Sequence, residues 1–491
     1  MLSARSPYRE AARFFAIRTC GCYARPVRAA VAAAAIVALA AACTHEPALV
    51  SRPAGAPDSV VLRNVRVFDA PHAALLDGPR DVVVRDGRIA AIVPLGAGAP
   101  GLPAIDGAGG TLLPGLVDVH THTGSTPGPP WRVSTLPDVA DNLAAYLYAG
   151  VTTVLDLGGL SPAVFRERER LATGARLGPR LYAAGPVFTA PGGHPAEVLR
   201  AALPWYLRWY VLPRATREVA TPDDGRRAVA ALLSERPDIL KLAIDAGARD
   251  DVPRLRSETI AAVIAAGHAA GVRSIAHIGS SAEAIDAVRG GVDALAHAPW
   301  REELSEEAVA AIAAAHVPVV VTLAVWDVAG EPRTAVSDFL PIEREVAHPD
   351  VLVALVAPPP ALDPATAAFL HAAAAARDAR RRNVARLRAA GVRVLAGSDA
   401  CNPGQFPGAG IHLELAKLVQ AGLTPREALR VATSENAHFL AGDAADFGEI
   451  AVGKRADLVL VAGDPMARIE DLGRITHVLL GGTVLVRRHR G

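Results

Sequence analysis

Lysine is nearly missing from this sequence: Lys241, Lys417 and Lys454 stand against 48 arginines in 491 residues. An excess of charge of either sign is missing as well, because 51 Lys and Arg almost match 50 Asp and Glu, for a formal net charge of +1. The chain as a whole therefore has no basic field with which to gather nucleic acid, and small-molecule chemistry becomes the first expectation. Cysteine is scarce, with four residues, and two of them, Cys20 and Cys22, fall in an N-terminal stretch that reads as a signal. Cys43 and Cys401 cannot build a disulfide framework, and Cys401 reads as a packed thiol rather than a nucleophile. A G-x-G-x-x-G turn after a first strand is also absent, which counts against a dinucleotide-binding open sheet.

The N-terminal stretch has its own pattern. Arg18, Arg25 and Arg28 precede an uncharged run of fourteen residues, Ala29 to Ala42, that ends in LAAAC at Cys43. Fourteen is short of the roughly 20 residues that a spanning helix needs, so residues 1–43 read as a signal for export to a bacterial periplasm or cell envelope. The run resembles a lipobox, which would make Cys43 a lipidated N-terminus and the only membrane attachment. Ala40 replaces the usual leucine, so plain cleavage remains the alternative.

What is present is a long alternation. Residues 59–113 and 441–491 carry short strand patterns with glycine turns, including Asp86-Gly87 between apolar arms. Neither piece has strands enough for its own core, so the two are expected to combine into one small β-sandwich, after a linker at 44–58. Between them, residues 114–440 show eight apolar runs: PGLVDV, VTTVLDL, RLYAAGPVF, DILKLAI, VRSIAH, VDALAH, VPVVVTL and VRVLAGSD. Helical stretches rich in Ala, Leu, Arg and Glu separate them. Eight buried parallel strands with crossover helices predict an α/β fold, a (β/α)8 TIM-like barrel with insertions; a doubly wound sheet is the runner-up. One insertion carries Trp205, Tyr206, Trp209 and Tyr210, placed either to cover a pocket or to pack a helix; another, at 327–390, suggests no chemistry.

In such a barrel, chemistry belongs at the ends of strands. His120 and His122 end the first run in LLPGLVDVHTHTG, and a spacing of two puts both on one strand face. Lys241, His277, His297 and Asp399 end four others. A lysine ammonium has no lone pair for a cation. Carbon dioxide changes that, because a lysine carbamate is an anionic two-oxygen ligand able to bridge two ions, whereas arginine is too persistently protonated for that chemistry. Ligand counting then gives one ion to His120, His122, Asp399 and the carbamate, and a second to His277, His297 and the carbamate, with a bridging hydroxide as nucleophile. Asp399 is the candidate general base. Imidazole-rich ligation favours zinc for the two divalent metal ions.

These motifs resemble the amidohydrolase superfamily, in particular its imidazolonepropionase-like and Xaa-Pro dipeptidase-like branch. The resemblance runs from residue 59 onward and includes HIGSSAEAIDAVRGGVDALAH, LAGSDA, ELAKLVQAGLTPREALRVATSENA and GEIAVGKRADLVLVAGDP. It implies a binuclear hydrolase with a carbamylated Lys241 and a split sandwich, cleaving amide bonds of dipeptides, Xaa-Pro-like peptides or N-acyl amino acids. His194 in GPVFTAPGGHP matches a loop histidine of that branch and is a candidate for holding substrate. Trp300, beyond the sixth-strand histidine, is expected at the mouth, and Arg301 and Arg249 are candidates for drawing a carboxylate. The same site would suit a lactone, a cyclic amide or an organophosphate ester, and a non-catalytic binding lipoprotein is a third reading. A homo-oligomer is compatible with the sequence.

Overall fold

The computed structural model describes residues 48–129, 137–245, 247, 251–359, 361–362 and 364–490. The signal-like segment with Cys20, Cys22 and Cys43, and Arg249, lie outside the described residues.

Strands from both ends of the chain meet in one sheet. Its order is Thr483–Val484, Ile475–Leu480, Leu458–Val461, Thr111–Pro114, Val60–Asp69, Arg80–Arg85 and Arg88–Pro94. The junction is antiparallel, with Leu458 opposite Pro114 and Val461 opposite Thr111. Asp86 (φ +49°) and Gly87 (φ +73°) form the tight turn between the last two strands, the doubly left-handed geometry for which an Asp-Gly pair is suited. Leu62, Val67, Val82, Leu112, Leu458 and Leu479 supply its apolar interior. Within the stretch read as a linker, Val50–Ser51 pairs with Val486–Arg487 and Leu49 is fully buried.

All the strands of the middle segment are parallel. Arg180–Ala183, Val151–Asp156 and Leu116–Thr121 form one sheet. Thr216–Glu218, Val187–Thr189, Ile239–Ala243, Arg273–His277, Ala294–Ala296, Val319–Val320 and Val394–Leu395 form another, in that order. Hydrogen bonds link the two sheets at both seams. Asp238 N donates to Ala183 O at 3.0 Å on one side, and Asp399 N donates to His120 O at 2.8 Å on the other. The run RLYAAGPVF, expected as a single strand, is two, because Gly185 at φ +74° turns the chain before Pro186. A side chain at Gly185 would also come within 2.6 Å of the Phe165 ring.

The inward faces carry Val117, Val119, Leu155, Ile239, Ile275, Val320 and Leu395, with Phe439 and Phe447 packed in the same cluster. Helices such as Val139–Tyr148 and Ser257–Ala269 cover the outer faces. The 327–390 insertion continues a helix, Leu323–Gly330, and adds Pro341–Val346, Pro349–Val356, Pro364–Ala375 and Arg377–Ala389. A buried ion pair, Arg380 to Asp327 at 2.9 Å, holds its first and last helices together, and Asn383 anchors it by donating to Pro299 O at 3.0 Å and accepting from Leu304 N at 2.7 Å. Among the described residues no helix is long and apolar enough to cross a membrane.

Candidate metal centre

The first and last strands of the parallel array are clasped together by buried polar groups. Asn436, in the ATSENA motif, donates to Val117 O at 2.7 Å and Ala396 O at 2.8 Å, and accepts from Ala396 N. Asp118 accepts from Ser398 N and from the Ser398 hydroxyl, and burial raises its carboxyl to about 7. Gly397 keeps the two strands close: a Cβ there would lie 2.5 Å from His120 Cβ. These groups decide where His120, His122 and Asp399 meet.

Those three residues offer ligand atoms that all lie within 4.8 Å of one another. His122 Nε2 is 3.0 Å and His120 Nε2 3.5 Å from Asp399 Oδ1. A second pair lies alongside, with the His120 and His297 rings 4.9 Å apart. His297 Nε2 faces His277 Nδ1 at 2.8 Å. The remaining nitrogen of each ring is taken by an oxygen: His297 Nδ1 by Thr322 Oγ1 at 2.6 Å, and His277 Nε2 by Asp245 Oδ2 at 3.3 Å. An oxygen on the outer nitrogen selects the tautomer whose inner lone pair is free, so the two rings aim nitrogen at one point.

Lys241 is 3% exposed and sits two residues before the end of its strand. It lies in register with Ile275, below His277. Electrostatic coupling to Asp399, His120, His277 and His297 places it with both groups. Burial lowers its amine from 10.5 to about 7, with Asp399 opposing that shift. Burial likewise holds His120 and His297 well below the usual imidazole range and brings His277 to about 4. Neutral imidazoles are what a metal requires. Two buried atoms here, Lys241 Nζ and His120 Nδ1, have no hydrogen-bond partner in a protein core where such atoms are rarely left alone. Four imidazoles, a carboxylate and a near-neutral amine suit divalent cations, and the orphaned atoms sit among them.

Three residues at this rim adopt left-handed backbone angles: His297 (φ +73°), Asp399 (φ +56°) and Thr322 (φ +42°). Such angles cost energy for residues with a side chain and concentrate at functional sites.

The other candidates fall around this cluster. His194 lies with its ring 5.1 Å from His277 and its Nδ1 3.0 Å from Glu197. Trp300, expected at the mouth, is 2% exposed; its indole N–H donates to Asp245 at 3.0 Å and its ring stacks on Trp326 at 4.4 Å. Arg301 is also held by Asp245, so its charge is already engaged. Cys401 is buried, and burial pushes its thiol well above the ordinary range. Sequence reasoning missed Asp245 and Thr322. Both stand where an apolar run stops, IDAG and VVVT, which was the signal available.

The sequence profile of the Amidohydrolase family matches residues 111–485. No curated protein matches at a significant level. Among solved structures, an Xaa-Pro dipeptidase with bound methionine is 20% identical, covering 87% of this chain and 99% of its own, with a TM-score of 0.70. A prolidase complexed with N-methylphosphonate-L-proline is 24% identical over 88% of this chain and 100% of its own, at 0.69. A putative prolidase from Bifidobacterium longum is 24% identical over 89% and 96%, at 0.68. These likenesses agree with a TIM-barrel-like α/β fold. With the profile spanning both the clasped strands and all six rim residues, the chain belongs to the amidohydrolase family and is a metal-dependent hydrolase.

Proposed function

We infer that the chain is a binuclear hydrolase that cleaves amide C–N bonds of dipeptides, Xaa-Pro-like peptides or N-acyl amino acids. The observation that carries this reading is that two ligand groups, His120/His122/Asp399 and His277/His297, lie side by side, with the buried Lys241 in electrostatic reach of both. His120, His122 and Asp399 would hold one divalent ion and His277 and His297 the other, with zinc the expected metal. An amine brought to about 7 is substantially neutral at physiological pH. It could therefore add to CO2, forming the N–C bond and releasing one proton, and the resulting carbamate would supply anionic oxygens to the metal site. When bound, the metal pair supplies Lewis acidity and lowers the pKa of a water molecule.

The chain's own residues do the rest. Asp399 takes the proton of the attacking water and returns it to the leaving amine nitrogen. Thr322 and Asp245 keep the His297 and His277 rings in the metal-binding tautomer. His194, on the loop beside His277, is assigned to the substrate carbonyl or carboxylate; Trp300 supports that wall through Asp245. Residues 59–113 with 441–491 are taken as one β-sandwich domain around a (β/α)8 hydrolase domain at 114–440, a division supported by the sheet shared between the chain ends.

The test is a hydrolysis screen of Xaa-Pro, Xaa-Arg and other dipeptides, N-acyl amino acids and lactones, with and without chelator. Chelator-sensitive amide cleavage by protein containing two divalent ions per chain is expected. Turnover of lactones far above that of amides would move the reading to ester chemistry, and a metal-free protein that turns over none of the panel would remove it. Lys241→Arg should lose both hydrolysis and metal; retention of both refutes the carbamate bridge.

A further inference from the structure

The connection after strand Val187–Thr189 carries a feature that neither the core nor the metal site uses. Eleven large apolar side chains are exposed among the described residues, and six of them fall between positions 198 and 210. Such crowding marks a contact surface rather than scattered surface residues. Helix Trp205–Ala215, WYLRWYVLPRA, buries only Ala215. Trp205 is 79% and Trp209 73% exposed, each in edge contact with its neighbouring tyrosine. A short helix that buries so little gains almost nothing from its own fold.

Composition and charge indicate what covers it. Trp and Tyr combine an apolar ring with a polar tip, the combination favoured where hydrocarbon meets water. The helix contains no acidic residue. Arg208 and Arg214 give hydrogen bonds to the main-chain carbonyls of Leu203 and Tyr210, and among the described residues neither forms an ion pair with a carboxylate. Arg214 also lies over the Tyr210 ring at 3.9 Å. The overall charge is near zero, so this cationic patch is local. A second copy docked here about a two-fold axis would bring the arginines against themselves. A surface of phosphate headgroups is complementary instead. The sequence adds an independent reason for the chain to meet a membrane, the lipobox-like LAAAC that would leave Cys43 lipidated.

We propose that helix Trp205–Ala215 lies on the surface of an anionic phospholipid bilayer. Trp205 and Trp209 enter the headgroup region, and Arg208 and Arg214 meet lipid phosphates. The helix follows the loop of His194, so the contact sits beside the candidate metal centre along the chain.

The test uses the full chain with vesicles of phosphatidylcholine alone or mixed with phosphatidylglycerol, read by co-sedimentation, tryptophan emission and quenching by brominated lipid. The N-terminal apolar run is common to every variant, so differences between variants report on the helix. Wild-type emission should shift to the blue and be quenched by brominated lipid. Trp205→Ser/Trp209→Ser should weaken partitioning about tenfold or more. Arg208→Gln/Arg214→Gln should weaken it chiefly on anionic vesicles and at low salt. Equal partitioning of all three proteins overturns the proposal. So does light scattering that finds a discrete wild-type oligomer dissolved by the tryptophan substitutions, which would assign the patch to a second copy. Should the tryptophan variant fold poorly by circular dichroism, the arginine variant and wild-type quenching still decide. Hydrolytic activity in solution is expected to be unchanged, which separates this proposal from the catalytic one.

Discussion

Replacing Lys241 by methionine should abolish hydrolysis and yet make the metal-free protein more stable. The lysine is buried with no partner for its amine, and its proton affinity falls from the ordinary 10.5 to about 7. That difference corresponds to about 5 kcal/mol of destabilisation at or below pH 7. Between pH 7 and 10.5 the unfolded chain carries a proton on this side chain that the folded chain lacks, so wild-type stability climbs with pH across that window. Above 10.5 both states are neutral and the penalty is gone. Methionine has a similar volume and no charge to desolvate. Relaxation and water penetration reduce such electrostatic costs in real proteins, so the expected gain is on the order of 2–5 kcal/mol at pH 7, shrinking toward zero near pH 10.5. Thermal unfolding of the chelated wild type and Lys241→Met at pH 7 and pH 10 measures it. With zinc and bicarbonate restored, wild type should gain stability by mass action while the variant does not. A variant less stable than wild type at pH 7 without metal, or a difference indifferent to pH, would refute the argument that burial depresses this amine.

Three further perturbations probe the surrounding scaffold. Thr322→Val keeps shape but removes the oxygen on His297 Nδ1; metal affinity by competition with a chromophoric chelator should drop about 10- to 100-fold, with far-UV circular dichroism unchanged. Gly397→Ala drives a methyl to 2.5 Å from His120 Cβ and 2.7 Å from Val320 Cγ1. A loss of about 1–3 kcal/mol in denaturant unfolding is expected, with weakened metal binding; a neutral result would mean that the strands part easily. Asn436→Ala strands the carbonyls of Val117 and Ala396 in the core. It should cost about 2–4 kcal/mol and speed amide exchange at the seam between first and last strands, and unaltered exchange there would contradict the clasp.

The metal-competent residues were legible because all but one stand where a buried run stops, and hydrophobic periodicity shows such stops. His120, His122, His277, His297 and Asp399 share this property, whereas Lys241, expected at a strand end, lies inside a buried run that continues through Leu242, Ala243 and Ile244; parallel strands bring their ends to one side whatever the details of closure. Asp245 and Thr322 also end runs, yet their role depends on which ring nitrogen they meet, a distance across strands that a linear pattern does not contain. Trp300 illustrates the opposite error. Its place in the sequence, just past His297, suggested a solvent-facing mouth, but the Asp245 carboxylate and the Trp326 ring draw it inward. RLYAAGPVF misled because its apolar content is continuous while its backbone is not; the left-handed Gly185 divides it. The seventh and eighth strands are only two residues each, so helices rather than strand length carry that part of the array.

The sheet that joins Leu458–Val461 to Thr111–Pro114 ties ribosomal timing to architecture. Nearly 350 residues separate the partners, so the first strands wait at an open edge until almost the whole polypeptide has been synthesised. A premature stop just before Leu458 would spare all six candidate metal ligands and still leave that edge bare, turning a small deletion into an aggregation problem rather than a catalytic one.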